Sequence, residues 1–323
     1  MEEEIVCTGL FRPSAEDTIS CLDKFEMGGP LQYVLGNLFE APANIVYALA
    51  NTGMWLDWSN KESLMRFIYY GASGELMFVG IFLFLLVTAI GLWRNTFMWG
   101  CVRVLEGFAN GTGRLFAWAG LLMVLQQIII IFMQRVFAVS EISLGFGMSF
   151  TKDVSWWSEE LKLYNAMIVC MCAAYTFVQG GQVRVDLLYA NMSYRTKRAF
   201  DMFGCMVFMI PAALLTWLYG WFFLWRHLVV PNPSASDTLE RLLAKSRALR
   251  WNVETIGFSP NGFNAYFLFK VLLISFTLMV ILQAIAFFYR SYLERKEGPD
   301  SEGKYLDKDK LGDPTAELVA DIH

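Results

Sequence analysis

Five apolar stretches, each long enough to cross a bilayer and each bounded by charge, constrain this 323-residue chain more than any other feature. A helix needs roughly 20 apolar residues to span about 30 Å of hydrocarbon. Leu76–Trp93 lies between Glu75 and Arg94, Leu115–Gln134 between Arg114 and Arg135, and Leu163–Val183 between Lys162 and Arg184. Met202–Trp225 lies between Asp201 and Arg226, and Asn264–Tyr289 carries Lys270 near its start and stops at Arg290. These runs are continuously apolar, whereas barrel strands alternate over about ten residues. At 56% hydrophobic and 17% charged residues, the chain has too few polar helices to cover them as a soluble core. The expected fold class is an all-α integral membrane protein with a bundle of about five transmembrane helices. Trp93, Trp118, Trp156, Trp157, Trp221, Trp225 and Tyr289 sit at or near predicted ends, where amphipathic rings favour the interface.

The rest of the chain is less apolar. Leu31–Ala50 contains Glu40 and Pro42 and is expected to lie in the interface as a helix, with a sixth span as the alternative. The first thirty residues are acidic and lack an apolar core, so no signal peptide is expected. From Glu297 to His323, acids mix with Lys304, Lys308, Lys310, Gly and Pro, which predicts a disordered tail. The six cysteines show no CxxC spacing and read as small apolar residues.

Basic residues near the ends of spans mark the cytoplasmic side. Arg184, Arg195, Lys197 and Arg198 fall between the third and fourth spans, Arg94, Arg103 and Arg114 between the first two, and Arg290, Arg295 and Lys296 after the last. Five crossings put all three clusters on one side, so the C-terminus is expected in the cytoplasm. The opposite side then holds 136–160 and 227–262. Within the second of these, Asp237 and Glu240 resemble a capping box before Leu239, Leu242, Leu243 and Leu249, an amphipathic surface helix.

Chemistry is sparse. Only His227 and His323 occur, too few for two-histidine haem ligation within the spans. No clustered metal ligands, phosphate loop or serine–histidine arrangement is visible, so the chain is not expected to be an enzyme or to hold a catalytic residue, cofactor or metal. The deep polar residues Gln126, Gln127 and Gln283 are neutral and are expected to join helices by hydrogen bonds. Lys270 is shallow enough to reach outward, and Pro211 is expected to kink its helix.

Gly181-Gln-Val-Arg184-Val-Asp186, then Ser193, Arg195, Arg198, Asp201 and Gly204, resembles the small membrane subunit of tripartite ATP-independent periplasmic (TRAP) transporters. In that family a helix ends in Gly-x-(Ile/Val)-Arg-Val-Asp, and a basic turn and a glycine-containing span follow. Trp118–Phe137 resembles the family's first helix, and Gly262–Tyr266 through Lys270 to Gln283 its last. The resemblance covers about 113–296, a four-helix domain with spans near 115–134, 163–183, 202–225 and 264–289. Residues 1–112 depart from the pattern as an N-terminal extension with its own span (76–93), and 297–323 form the tail.

The resemblance implies a bacterial inner-membrane complex without nucleic acid. A large permease subunit would hold the substrate and sodium sites, and a periplasmic binding protein would deliver an organic acid. The small subunit would brace the permease among membrane lipids. Gly181, Arg184, Asp186, Arg195, Arg198, Asp201, Lys270 and Gln283 are the residues it singles out for subunit or helix packing. Arg184 is expected either to anchor at the interface or to join an ion-pair network with Asp186 or Asp201 at two helix ends. The alternative is an assembly or anchor subunit of an unrelated membrane complex.

Overall fold

A computed structural model of the chain describes residues 7–8, 19–20, 29–145, 149–180, 192–226, 228–230, 238–247, 249, 262–263 and 265–309. Five helices in it are long and apolar enough to cross a membrane. The chain divides into two compact units, one formed by Met1–Trp93 with Leu215–Thr255 and the other by Arg94–Leu214 with Ile256–His323.

In the first unit, two short strands, β1 (Cys7–Thr8) and β2 (Ile19–Ser20), pair in parallel. Helices α1 (Pro30–Ala50), α2 (Gly53–Leu56), α3 (Lys61–Tyr70) and α4 (Gly74–Trp93) follow. The expected helix at 31–50 is therefore present. It buries Asn37, Ala41, Asn44 and Ala48, one stripe at helical spacing, while Leu31, Phe39, Val46 and Leu49 face outward. Its neighbours on α4 are Leu76, Phe78, Val79 and Phe82, all in the first three turns.

The unit also contains the end of α8 (Ile210–Trp225) and the short helix α9 (Leu239–Lys245). Trp221 Nε1 donates to the Ile68 carbonyl at 2.7 Å and Trp217 Nε1 to that of Gly71 at 2.9 Å. A Cβ built on Gly71 would overlap the Trp221 ring, so only glycine lets α3 end against it. Helix α9 packs on α3 through the buried Leu242. Its cap is Thr238, whose Oγ1 accepts from Arg241 N at 3.5 Å, one residue later than the expected Asp237, which lies outside the described residues.

The second unit is built on α5 (Asn95–Ile131), which ends in a π turn (Phe132–Val136). A hairpin of β3 (Glu141–Gly145) and β4 (Ser149–Asp153) leads into α6 (Val154–Val178). Next come α7 (Tyr194–Gly204) with a second π turn (Cys205–Met209), and α10 (Phe267–Glu297) with a 3₁₀ turn (Pro299–Ser301). The second span was expected to begin at Leu115, but the helix starts twenty residues earlier, so a division at residue 112 falls inside it. Its first half is amphipathic and charged, which hides it from a search for apolar runs. At 37 residues it is roughly 55 Å long, well beyond the hydrocarbon.

Helices α5 and α6 meet most closely at Gly113. A Cβ there would overlap the Cβ and Cγ of Tyr175, and Cys172 Sγ lies 3.4 Å from the Gly113 carbonyl. Farther along, Gln126 Nε2 donates to the Trp157 carbonyl at 3.1 Å and to Glu160 at 3.0 Å, a helix-joining amide as expected. Just before Pro211, where a kink was expected, the helix makes a π turn. One extra residue in that turn makes room for a ring that would clash with the carbonyl four residues back.

Contacts within this unit sort the helix ends into two groups. The end of α5 meets the hairpin and the start of α6, and Phe263, just before α10, donates its N–H to Glu159 at 2.8 Å. The first half of α5, the end of α6, the start of α7 and the end of α10 gather at the other end. Large apolar side chains such as Leu121, Leu125, Ile128, Phe208 and Leu278 face outward, while Arg and Glu are buried. That inversion suits a lipid environment and would be an aggregation hazard in water.

Candidate functional site

The chemistry of the second unit concentrates where those four helix segments gather. On α5, Trp99, Val102, Glu106, Ala109, Asn110 and Gly113 recur at helical spacing and are all buried, so Glu106 sits on the inner face. Arg290, near the end of α10, meets it side-on: Nε to Oε1 at 2.6 Å and Nη2 to Oε2 at 2.5 Å. Such a two-point guanidinium–carboxylate pair is among the strongest charge-assisted hydrogen bonds. One turn on, Glu294 lies 3.4 Å from Arg290 Nη1 and 2.8 Å from Nη2 of Arg198 on α7. Arg198 also meets Glu302 at 2.7 Å and Asp201 at 3.3 Å. Arg290, Glu106, Glu294 and Arg198 are 5%, 4%, 2% and 7% exposed. The result is a buried belt of alternating charge that ties α5, α10 and α7 together. Trp99 and Tyr194 cover its guanidiniums, with ring centres 5.4 and 5.1 Å from the Cζ atoms of Arg290 and Arg198.

The chain after α10 is part of this arrangement. Disorder was expected from Glu297, but residues 298–309 turn back along α5 and α6 as a hook, and 310–323 lie outside the described residues. The Lys304 carbonyl accepts from Arg290 at 3.1 Å, and Gly303 N donates to Glu294 at 3.3 Å. Leu306 packs with Ala109, Ala174 and Val178. Arg114 grips Asp307 at 2.9 Å and Asp309 at 2.5 Å, Tyr175 donates to Asp309, and Asn110 and Gln179 both donate to the Asp307 carbonyl. Low hydrophobicity hid these contacts, because the hook is held by hydrogen bonds and charge, with one leucine.

Hydrogen bonds from Arg114 hold the Asp307 and Asp309 carboxyls below the usual aspartate range, with Tyr175 adding to the effect at Asp309. A carboxyl with a lowered value supports docking only while ionised. The hook is therefore expected to stay docked at neutral pH and to loosen as pH falls below about 3.9, the ordinary aspartate value. A spin label on Lys308→Cys, exposed on the hook, should gain mobility over that window, and Arg114→Ala should give the same mobility at neutral pH.

Of the residues singled out from sequence, Arg198 and Asp201 join the belt, whereas Gly181, Arg184 and Asp186 lie outside the described residues. Arg195 is exposed on α7. Lys270 is buried in the first turn of α10, a difference from the outward reach expected of it, and Gln283 is buried farther along. Among the described residues the Gln283 Oε1 has no hydrogen-bond partner. Neither belongs to the belt. Glu106, Glu294 and Glu302 were missed, although the stripe through Trp99 and Gly113 could have placed Glu106. No group of three metal-ligating side chains is found among the described residues. Compared with protein-family models, curated proteins and solved structures, the chain matches none.

Proposed function

We propose that this chain is the small membrane subunit of a tripartite ATP-independent periplasmic transporter, bracing a large permease subunit without moving substrate itself. The observation that carries the scaffold part is the belt. The buried charges of the belt are committed to one another, Arg290 to Glu106 and Glu294, and Arg198 to Glu294, Asp201 and Glu302. A carrier needs an ionisable site free to bind and release an ion near mid-membrane, and the belt instead fixes three helices at one end. The order and spacing of the sequence motifs from Gly181 to Gln283 support the family. The partners would be the permease, a periplasmic binding protein that delivers an organic acid, and the lipids of a bacterial inner membrane.

Reconstituted alone in liposomes with an inward sodium gradient, the chain is expected to take up no carboxylate. Co-purified from its own cells, it should bring down a large multispanning permease. Uptake by the isolated chain would sink the scaffold reading, and stable recovery with an unrelated membrane complex would favour an anchor subunit.

The basic clusters support a cytoplasmic location for the belt, the hook and Arg195. A cysteine at position 195 or 308 should react with an impermeant maleimide only after the cells are opened. Reaction of both in intact cells would reverse the topology.

A further inference from the structure

We propose that a phospholipid occupies the crevice between the end of α6, the α7 helix with its π turn, and α10, with its phosphate at Lys197 and one acyl chain lying over Gly204. The crevice is a shallow, open groove of about 410 Å³, and Phe177, Asp201, Gly204, Cys205, Phe208 and Phe287 are among the residues that line it. Its floor is sealed by the edge-to-face pair of Phe177 and Phe287, with ring centres 5.0 Å apart. Its rim is open, since Phe208 is 67% exposed. The concavity comes from the backbone. A Cβ built on Gly204 would meet nothing within 4 Å, and the π turn at Cys205–Met209 shifts the helix face just below it.

Three features favour an amphiphile over a partner's side chain. The walls are graded: Asp201 at one end is neutralised by Arg198, and the other end is purely apolar. Lys197, half-buried and one turn before Asp201 on the same face, adds a cation in the first turn of α7, where the helix dipole also favours an anion. From Lys197 to Phe208 the helix rises roughly 17 Å, close to the half-thickness of about 15 Å that one acyl chain fills. Basic sites between membrane helices on one face of the bilayer are known to hold lipid headgroups in this way.

The full chain, reconstituted in phosphatidylethanolamine vesicles doped with phosphatidylglycerol carrying a diazirine midway along one acyl chain, tests this after photolysis and peptide mapping. Adducts at Phe208, Met209 and Phe287 are expected several-fold denser than on Leu85 and Leu92 of α4, exposed to ordinary surrounding lipid. Gly204→Leu fills the open space and should remove that excess while leaving the α4 adducts unchanged. If that variant does not fold, Lys197→Gln, at the headgroup end, should lower the excess at least two-fold. Equal adduct density at both places, or an excess that survives the substitutions, overturns the proposal in favour of unselective lipid. Adducts replaced by a co-purified protein at the same residues overturn it in favour of a partner helix.

Discussion

Arg290→Ala is expected to destabilise the protein by about 3–5 kcal/mol, the usual cost of removing one member of a buried ion pair. Arg290 serves Glu106 through two hydrogen bonds and Glu294 through a third contact, so alanine strands the almost wholly buried Glu106 and leaves Glu294 to Arg198 alone among the guanidiniums. Thermal unfolding in detergent, followed by the recovery of monodisperse protein, reads the loss. Arg290→Lys should recover only part of it, because an ammonium lacks the planar fork that meets both Glu106 oxygens. The double change Glu106→Gln with Arg290→Gln should cost less than Arg290→Ala alone, since no charge is then left without its partner. A single variant within about 1 kcal/mol of the parent would mean that water reaches the belt.

Gly113→Ala is expected to have the next largest effect, about 1–3 kcal/mol for forcing a methyl group into a filled contact. The atoms in its way are the Cβ and Cγ of Tyr175, which sit next to the backbone and cannot swing aside as a side-chain tip would. Helices α5 and α6 would have to separate, pulling Tyr175 away from Asp309 and Cys172 away from the Gly113 carbonyl. A lowered unfolding midpoint together with a more mobile hook would report both consequences. Gly204→Ala is the control: its methyl enters open space and should leave the midpoint unchanged.

The five spans were legible because hydrocarbon demands one thing of a sequence, length without charge. Leu76–Trp93 against Gly74–Trp93 shows how closely that criterion bounds a helix when the backbone breaks at both ends. It fails where a helix leaves the hydrocarbon but continues. Asn95–Arg114 reads as a charged loop because Arg103, Glu106 and Arg114 interrupt it, yet its Trp99-to-Gly113 stripe belongs to the same helix. The belt was half legible for a related reason. Arg198 and Asp201 stood out beside a motif, but their partner Glu294 lies nearly a hundred residues on, and no local pattern links them. A separation about twice as long hid the hook, whose aspartates find Arg114 only once the bundle has formed.

The span of sequence that the belt closes has a consequence for how the chain is made. Arg290 follows Glu106 by 184 residues, so α10 is made long after α5. Until α10 is made, Glu106 lacks its guanidinium partner, although α5 and α6 are already there to meet at Gly113. Arrival of α10 supplies the guanidinium, and the hook behind it then reaches Trp99 through Lys304 and Tyr305 and Asn110 through Asp307. A chain cut short before Arg290 therefore lacks the contact that ties α5 to α10, and the belt does not close.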